Sequence, residues 1–165
     1  MMRTGRGRKR EQGLTLIELV SCSAIVLILA SVAIPVANNW VKRRKELELR
    51  QALREIRTAI DKFQWDVDHT YPVMAQKLNG LNASLDHYPE KIEWLYEGFD
   101  IGDAAGTKVK YLRRLPRDPI TGKPDWVLRS SHDQPGSFGT DGLNIFDVHS
   151  ASEALALDGT PYAEW

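Results

Sequence analysis

Between Leu14 and Val41 the chain reads LTLIELVSCSAIVLILASVAIPVANNWV, a run with a single charged side chain, Glu18. About 20 apolar residues suffice to cross the hydrocarbon core of a bilayer, so this stretch governs where the remaining 124 residues are placed. Residues 1 to 13 precede it with five Lys/Arg and one acid, and end on Gly13. A carboxylate near the middle of a bilayer costs about 2.5 to 3.5 kcal/mol on insertion scales and calls for a partner. Cleavage after Gly13 would create an α-ammonium group on Leu14, with Glu18 as fifth residue of the shortened chain. That cut supplies the missing cation.

Two plainer readings compete. A conventional secretory signal has a 7 to 15 residue apolar core and a small-residue cleavage site, for which Ser31-Val32-Ala33 would serve. The apolar run is longer than that, continues to Val36, and begins with an acid that a simple signal core does not use. An uncleaved single-pass anchor accounts for the length and leaves Glu18 unexplained.

Basic leader, Gly13 and then LTLIELV resemble the class III signal of type IV pilins and type II secretion pseudopilins. The resemblance implies that a prepilin peptidase cuts after Gly13 and methylates Leu14, and that Glu18 pairs with the N-terminus of a neighbouring subunit during filament assembly. That family usually carries Phe or Met at the position of Leu14, and a helix-loosening proline where this chain has Pro35.

The formal net charge of zero hides a segregation along the chain. Residues 1 to 13 carry +4, Glu18 adds −1, residues 42 to 62 carry +4 and residues 63 to 165 carry −7. An acidic distal part disfavours nucleic-acid binding there. About 100 residues remain beyond the apolar run for one small domain. The lone cysteine, Cys22, lies in that run, so no intramolecular disulfide braces the domain. Lys42-Arg43-Arg44-Lys45 balances the leader across the span, which leaves the positive-inside rule tied. The resemblance breaks the tie with a cytoplasmic leader and an exported C-terminal domain, periplasmic on an inner-membrane anchor.

From Lys42 to Val67 the apolar residues Leu49, Leu53, Ile56, Ile60, Phe63 and Val67 recur at helical spacing, while Arg50, Arg54, Arg57 and Asp61 read as the opposite face. Leu14 to Val67 therefore reads as one helix of about 54 residues, about 80 Å at 1.5 Å per residue, with loosening allowed at Pro35. The stripe is too short for the three to four heptads of a coiled coil. Tyr71-Pro72 ends the helix. Residues 73 to 107 hold helical candidates at Met74 to Leu81 and Glu90 to Tyr96 and no strand. Strands are predicted at Lys108 to Leu115, where Val109, Tyr111, Arg113 and Leu115 share a face, at Asp125 to Arg129, and at Leu143 to Val148.

AIDKFQWDVDHTYP, YLRRLPRDPITGKPDW and the late FDVHS are similar to the major pseudopilin type (the G-type subunit) of type II secretion systems. There a long helix ends at Tyr-Pro, a Leu-Pro-x-Asp-Pro connector leads into the sheet, and a late loop binds calcium. Where the connector usually continues with an aromatic residue and Gly-Asn, this chain has Ile120-Thr121-Gly122-Lys123. The expected fold is α+β and pilin-like: a cleaved leader (1–13), a transmembrane and polymerisation helix (14–41), its amphipathic continuation (42–67) packed on a small, mainly antiparallel sheet, and an extracytoplasmic domain (68–165).

No catalytic motif is present. His69, His87, His132 and His149 lack metal-ligand spacing, and Gly136-Ser137-Phe138-Gly139 is one residue short of a nucleophile elbow. Calcium takes carboxylate and carbonyl oxygens from flexible loops, and Ser150 to Asp158 is a late acidic loop with Glu153 and Asp158 as candidate ligands. The same segment reads equally as a short helix, or as a solvated loop packed by Leu155 and Leu157. The reading is thus a non-enzymatic filament subunit that drives export of folded proteins. Its implied partners are the prepilin peptidase, other copies of itself, minor pseudopilins and an inner-membrane assembly platform. A type IV pilin for adhesion, motility or DNA uptake, and a monomeric membrane-anchored binding module, are the alternatives.

Overall fold

The computed structural model describes Gly13 and residues 15–82, 85–134 and 140–165. Helix α1 spans Leu16–Trp65. Its first turn is set by Thr15, whose side-chain oxygen accepts the Glu18 N–H at 3.3 Å while its carbonyl accepts the Leu19 N–H at 3.1 Å. The predicted start at Leu14 falls on a residue outside those described. α1 continues through position 35, so Pro35 does not end it. The chain divides into two units, residues 1–41 and 42–165.

In the first unit, large apolar side chains of α1 are exposed, from Leu16 at 82% to Val41 at 51%. In the second, the stripe read from the sequence is the core: Leu49, Leu53, Ile56, Ile60, Phe63 and Val67 are all buried. Phe63 sits edge-on to Phe99 and Tyr111 at 5.6 and 5.4 Å between ring centroids, a favoured aromatic geometry.

The helix does not run uniformly to Val67. After Trp65 it widens into a π turn over Asp66–Thr70, closed by the Tyr71 N–H on the Asp66 carbonyl at 2.8 Å. The side chain of Thr70 donates to the Asp66 carboxylate at 2.9 Å. Pro72 then opens α2 (Pro72–Leu81) from its first turn, where a missing N–H is harmless. The predicted helix at 74–81 thus starts two residues earlier, and the second candidate is α3 (Glu93–Glu97), shifted to the far end of its predicted range.

The sheet departs more from expectation. Among the described residues four short strands form two separate antiparallel pairs, β1 (Phe99–Asp100) with β2 (Lys108–Val109), and β3 (Trp126–Arg129) with β4 (Asp147–Ser150). β1 lies in the region read as strand-free. The strand predicted over 108–115 stops at Val109, because two consecutive N–H groups just beyond Lys110, those of Tyr111 and Leu112, both go to the Leu95 carbonyl at 2.9 and 2.8 Å. An extended strand alternates its N–H directions and cannot do that. Leu112, assigned by alternation to the other face from Tyr111, is the buried residue there. β4 begins four residues later than the predicted strand at Leu143. The Leu143 N–H goes to Asp141 and the Ile145 N–H to the Pro89 carbonyl, and only from Phe146, which donates to Arg129, do the bonds turn toward β3.

Candidate functional site

In the apolar part of α1, backbone groups are satisfied by helix bonds, and three hydroxyls are returned to the same helix. Ser21 donates to the Ile17 carbonyl at 2.8 Å, Ser23 to Leu19 at 2.8 Å and Ser31 to Ile28 at 2.7 Å. Such back-bonding leaves an apolar exterior suited to lipid, where unsatisfied polar groups are costly. None of the most apolar 18-residue window is buried within the chain, and by length and composition the helix can cross a membrane. Trp40 and Lys42 to Lys45 follow the apolar stretch, the residue types that anchor a span at the membrane-water interface. Arg44 also pairs with Glu48 one turn on, at 3.0 Å.

Glu18 lies exposed in the first turn of α1. Thr15-Leu16-Ile17-Glu18 has the spacing of a capping box, and its threonine half is formed. The acid therefore also sits where the positive end of the helix favours a carboxylate. This local role is legible in the Thr-x-x-Glu spacing. Gly13 is exposed, and Leu14 lies outside the described residues.

At the other end of the chain, helix side chains outside the predicted apolar stripe hold the C-terminal segment: Arg50 and Arg57, read as the opposite face, and Glu46, which no spacing in the sequence singles out. Glu46 is buried; one carboxylate oxygen accepts the Leu157 N–H at 2.7 Å and the Tyr162 hydroxyl at 3.0 Å. Burial first, and the Glu46 carboxylate next, push the Tyr162 phenol up to about 12. Arg50 lies over the Trp165 ring, 4.3 Å from its centroid. Arg57 donates from Nε to Asp147 at 2.6 Å and from Nη2 to the main-chain oxygens of Val148 and Trp165 at 3.0 and 2.9 Å. Burial raises the Asp147 carboxyl, but hydrogen bonds from His149 and Arg57 outweigh it and hold it below the usual range. Glu46, Arg50, Leu53 and Arg57 follow one another at 4, 3 and 4 residues, so one seam of α1 carries all of these contacts. The assignment of Arg50 and Arg57 to a face opposite the stripe is corrected accordingly.

Glu153 and Asp158, the calcium candidates, are both exposed. Asp158 turns back on its own loop, accepting the Thr160 hydroxyl at 2.6 Å and N–H at 3.0 Å, and these bonds lower its pKa, the hydroxyl foremost. Residues 151–160 form no helix, and Leu155 and Leu157 are 56% and 45% exposed; Ala156 is the residue that packs. Among the described residues no three His, Cys, Asp or Glu side chains gather as a metal site. The histidines lie instead beside scattered acceptors: His69 by the Trp65 carbonyl, His87 by Asp68, His132 by Asp86 with Asp141 farther off at 3.9 Å, and His149 by Asp147.

The chain is similar over most of its length to type II secretion system core protein G from several bacteria. It is 28% identical to that of Aeromonas hydrophila over 150 residues, covering 89% of this chain and 88% of the relative. It is 27% identical to that of Pectobacterium carotovorum over 163 residues, 97% of this chain and 85% of the relative. It is 28% identical to that of Pseudomonas aeruginosa over 152 residues, 92% and 87%. No protein-family model and no solved structure matches the chain.

Proposed function

We propose, from the premise that this chain is a relative of the G-type pseudopilins of type II secretion systems, that it is a structural subunit of a pseudopilus polymerising through α1 to drive export of folded proteins. The observation that carries this reading is the apolar window of α1, unburied within the chain. Such a surface is stable only when lipid or other subunits cover it. A monomeric anchor would need the lipid alone, and Glu18 would then have only its local place in the first turn of the helix.

In this reading Gly13 and Leu14 are the cleavage junction for a prepilin peptidase, and Leu14 is the methylated residue. Glu18 accepts the α-ammonium of a neighbouring copy. The subunit is held in the inner membrane by α1 with its distal unit in the periplasm, where it meets other copies, minor pseudopilins and the assembly platform. The acidic distal part, −7 over residues 63 to 165, leaves nucleic acid out of the scheme.

Glu18→Ala tests it. The variant should insert in the membrane as well as the parent or better, by about the 2.5 to 3.5 kcal/mol that a buried charge costs. Cross-linked oligomers and secretion should both fall sharply. Parent-like oligomers and secretion from Glu18→Ala would overturn the pairing.

A further inference from the structure

We infer that Arg57 is the resident cation of the C-terminal segment, so that residues 147–165 are held on α1 without calcium. A hard divalent ion draws together carboxylate and carbonyl oxygens. The Arg57 guanidinium draws together the same kinds of atom: one carboxylate, Asp147, and two main-chain oxygens, those of Val148 and Trp165. Its fourth contact, Nη2 to the other Asp147 oxygen, is longer at 3.4 Å, since the two hydrogens of that nitrogen already serve the main chain. A planar donor fork suits such a set better than a point charge does. A divalent ion on these oxygens would lie within a few ångströms of a fixed positive charge, and the two would repel.

The loop that the family resemblance marks for calcium is built with the opposite polarity. Its carbonyls at Ala154, Ala156 and Thr160 accept the N–H groups of Tyr162, Gly159 and Ala156 and so close the loop on itself. Toward the helix it presents donors, the Leu157 N–H and the Tyr162 hydroxyl, which meet the Glu46 carboxylate. A cation needs acceptors aimed inward, and these three carbonyls already accept N–H groups of the loop itself. One Asp158 oxygen, Oδ1, takes both the hydroxyl and the N–H of Thr160, and among the described residues neither it nor the exposed Glu153 is part of a cluster of three ligating side chains. The residues present do not fit a calcium ion.

The test is thermal unfolding of the full chain in detergent micelles, followed by tryptophan fluorescence, in excess chelator and in millimolar calcium chloride. The parent should melt at the same temperature in both. Arg57→Ala should melt lower by roughly 5 °C or more, and protease should release the C-terminal segment faster while helix content by circular dichroism stays at the parent level. Arg57→Lys should recover only part of the loss, because one ammonium cannot span three acceptors. A saturable rise of the parent's melting temperature with calcium, reversed by chelation, would overturn the inference, as would a parent-like Arg57→Ala. Should Arg57→Ala fail to fold, the calcium arm on the parent still decides. Neither outcome touches the filament reading, which rests on α1 upstream of this seam.

Discussion

Asp118 is fully buried, and its carboxylate joins two parts of the distal unit. One oxygen accepts the Ile120 N–H at 2.7 Å and, more weakly, the Thr121 N–H at 3.4 Å, turning the chain after Pro116. The other accepts the Ser150 hydroxyl at 2.5 Å, fixing the end of β4. The Asp of the Leu-Pro-x-Asp-Pro connector is therefore a structural acceptor, and its neighbours Ile120 to Lys123 are free to differ from the family pattern provided their N–H groups still turn inward. Asp118→Ala should orphan the Ile120 N–H and the Ser150 hydroxyl at about 1 to 3 kcal/mol each. For a domain of this size about 2 to 4 °C of melting temperature goes with each kcal/mol, so a loss of several degrees is expected in thermal unfolding. Asp118→Asn, which keeps one acceptor oxygen, should fall between; a parent-like melting curve for the alanine variant would remove this role.

At the scale of elements, what the sequence disclosed and what it hid divide by the range of the interactions. The apolar stripe from Leu49 to Val67 follows from a period that one helix imposes on itself, and all six residues are buried. The small strands depend on partners far along the chain. The run from Lys108 alternates correctly as sequence, yet the Leu95 carbonyl takes two consecutive N–H groups and ends the strand after two residues. Arg57 reads from spacing as part of the face opposite the stripe, and nothing in the local sequence marks Glu46; their partners lie 90 or more residues away and leave no local mark. The glycines show the same division. Gly98 leaves α3 with φ +98, and a β-carbon there would lie 3.1 Å from Lys110 Cγ and 3.3 Å from the Val109 carbonyl, closing the space that lets β1 meet β2. Gly80, within α2, would place a β-carbon in open space. Gly98→Ala should thus destabilise by about 1 to 3 kcal/mol through the strained backbone, whereas Gly80→Ala should stabilise by about 0.5 to 1 kcal/mol through helix propensity. Chemical denaturation of both variants checks the pair, and equal effects of one sign would show that local backbone conformation does not separate them.

For the whole molecule, the proposed cleavage after Gly13 would alter the charge while every residue of the described core stays on the retained side. Residues 1 to 13 carry +4 in a chain of formal charge zero, so the shortened chain carries −4 in side chains and gains an α-ammonium at Leu14. The buried cluster of the distal unit begins at Leu49, and the first turn of α1 is capped by Thr15, on the retained side of the cut. Folding and processing should therefore separate cleanly in Gly13→Val, since a peptidase that grips extended backbone at the junction has no room for a branched side chain while the core is indifferent to it. In cells with an active prepilin peptidase, intact-mass measurement on membrane fractions should find the parent beginning at Leu14 and the variant still bearing its leader. Both should show the same melting temperature. The variant should also fail to form cross-linked oligomers although Glu18 is intact, because its amino group remains at the far end of 13 basic-rich residues, up to about 43 Å of extended chain from the helix start. A parent that retains its leader, or an uncleaved Gly13→Val that assembles like the parent, would show that the ammonium group made at Leu14 is not what Glu18 awaits.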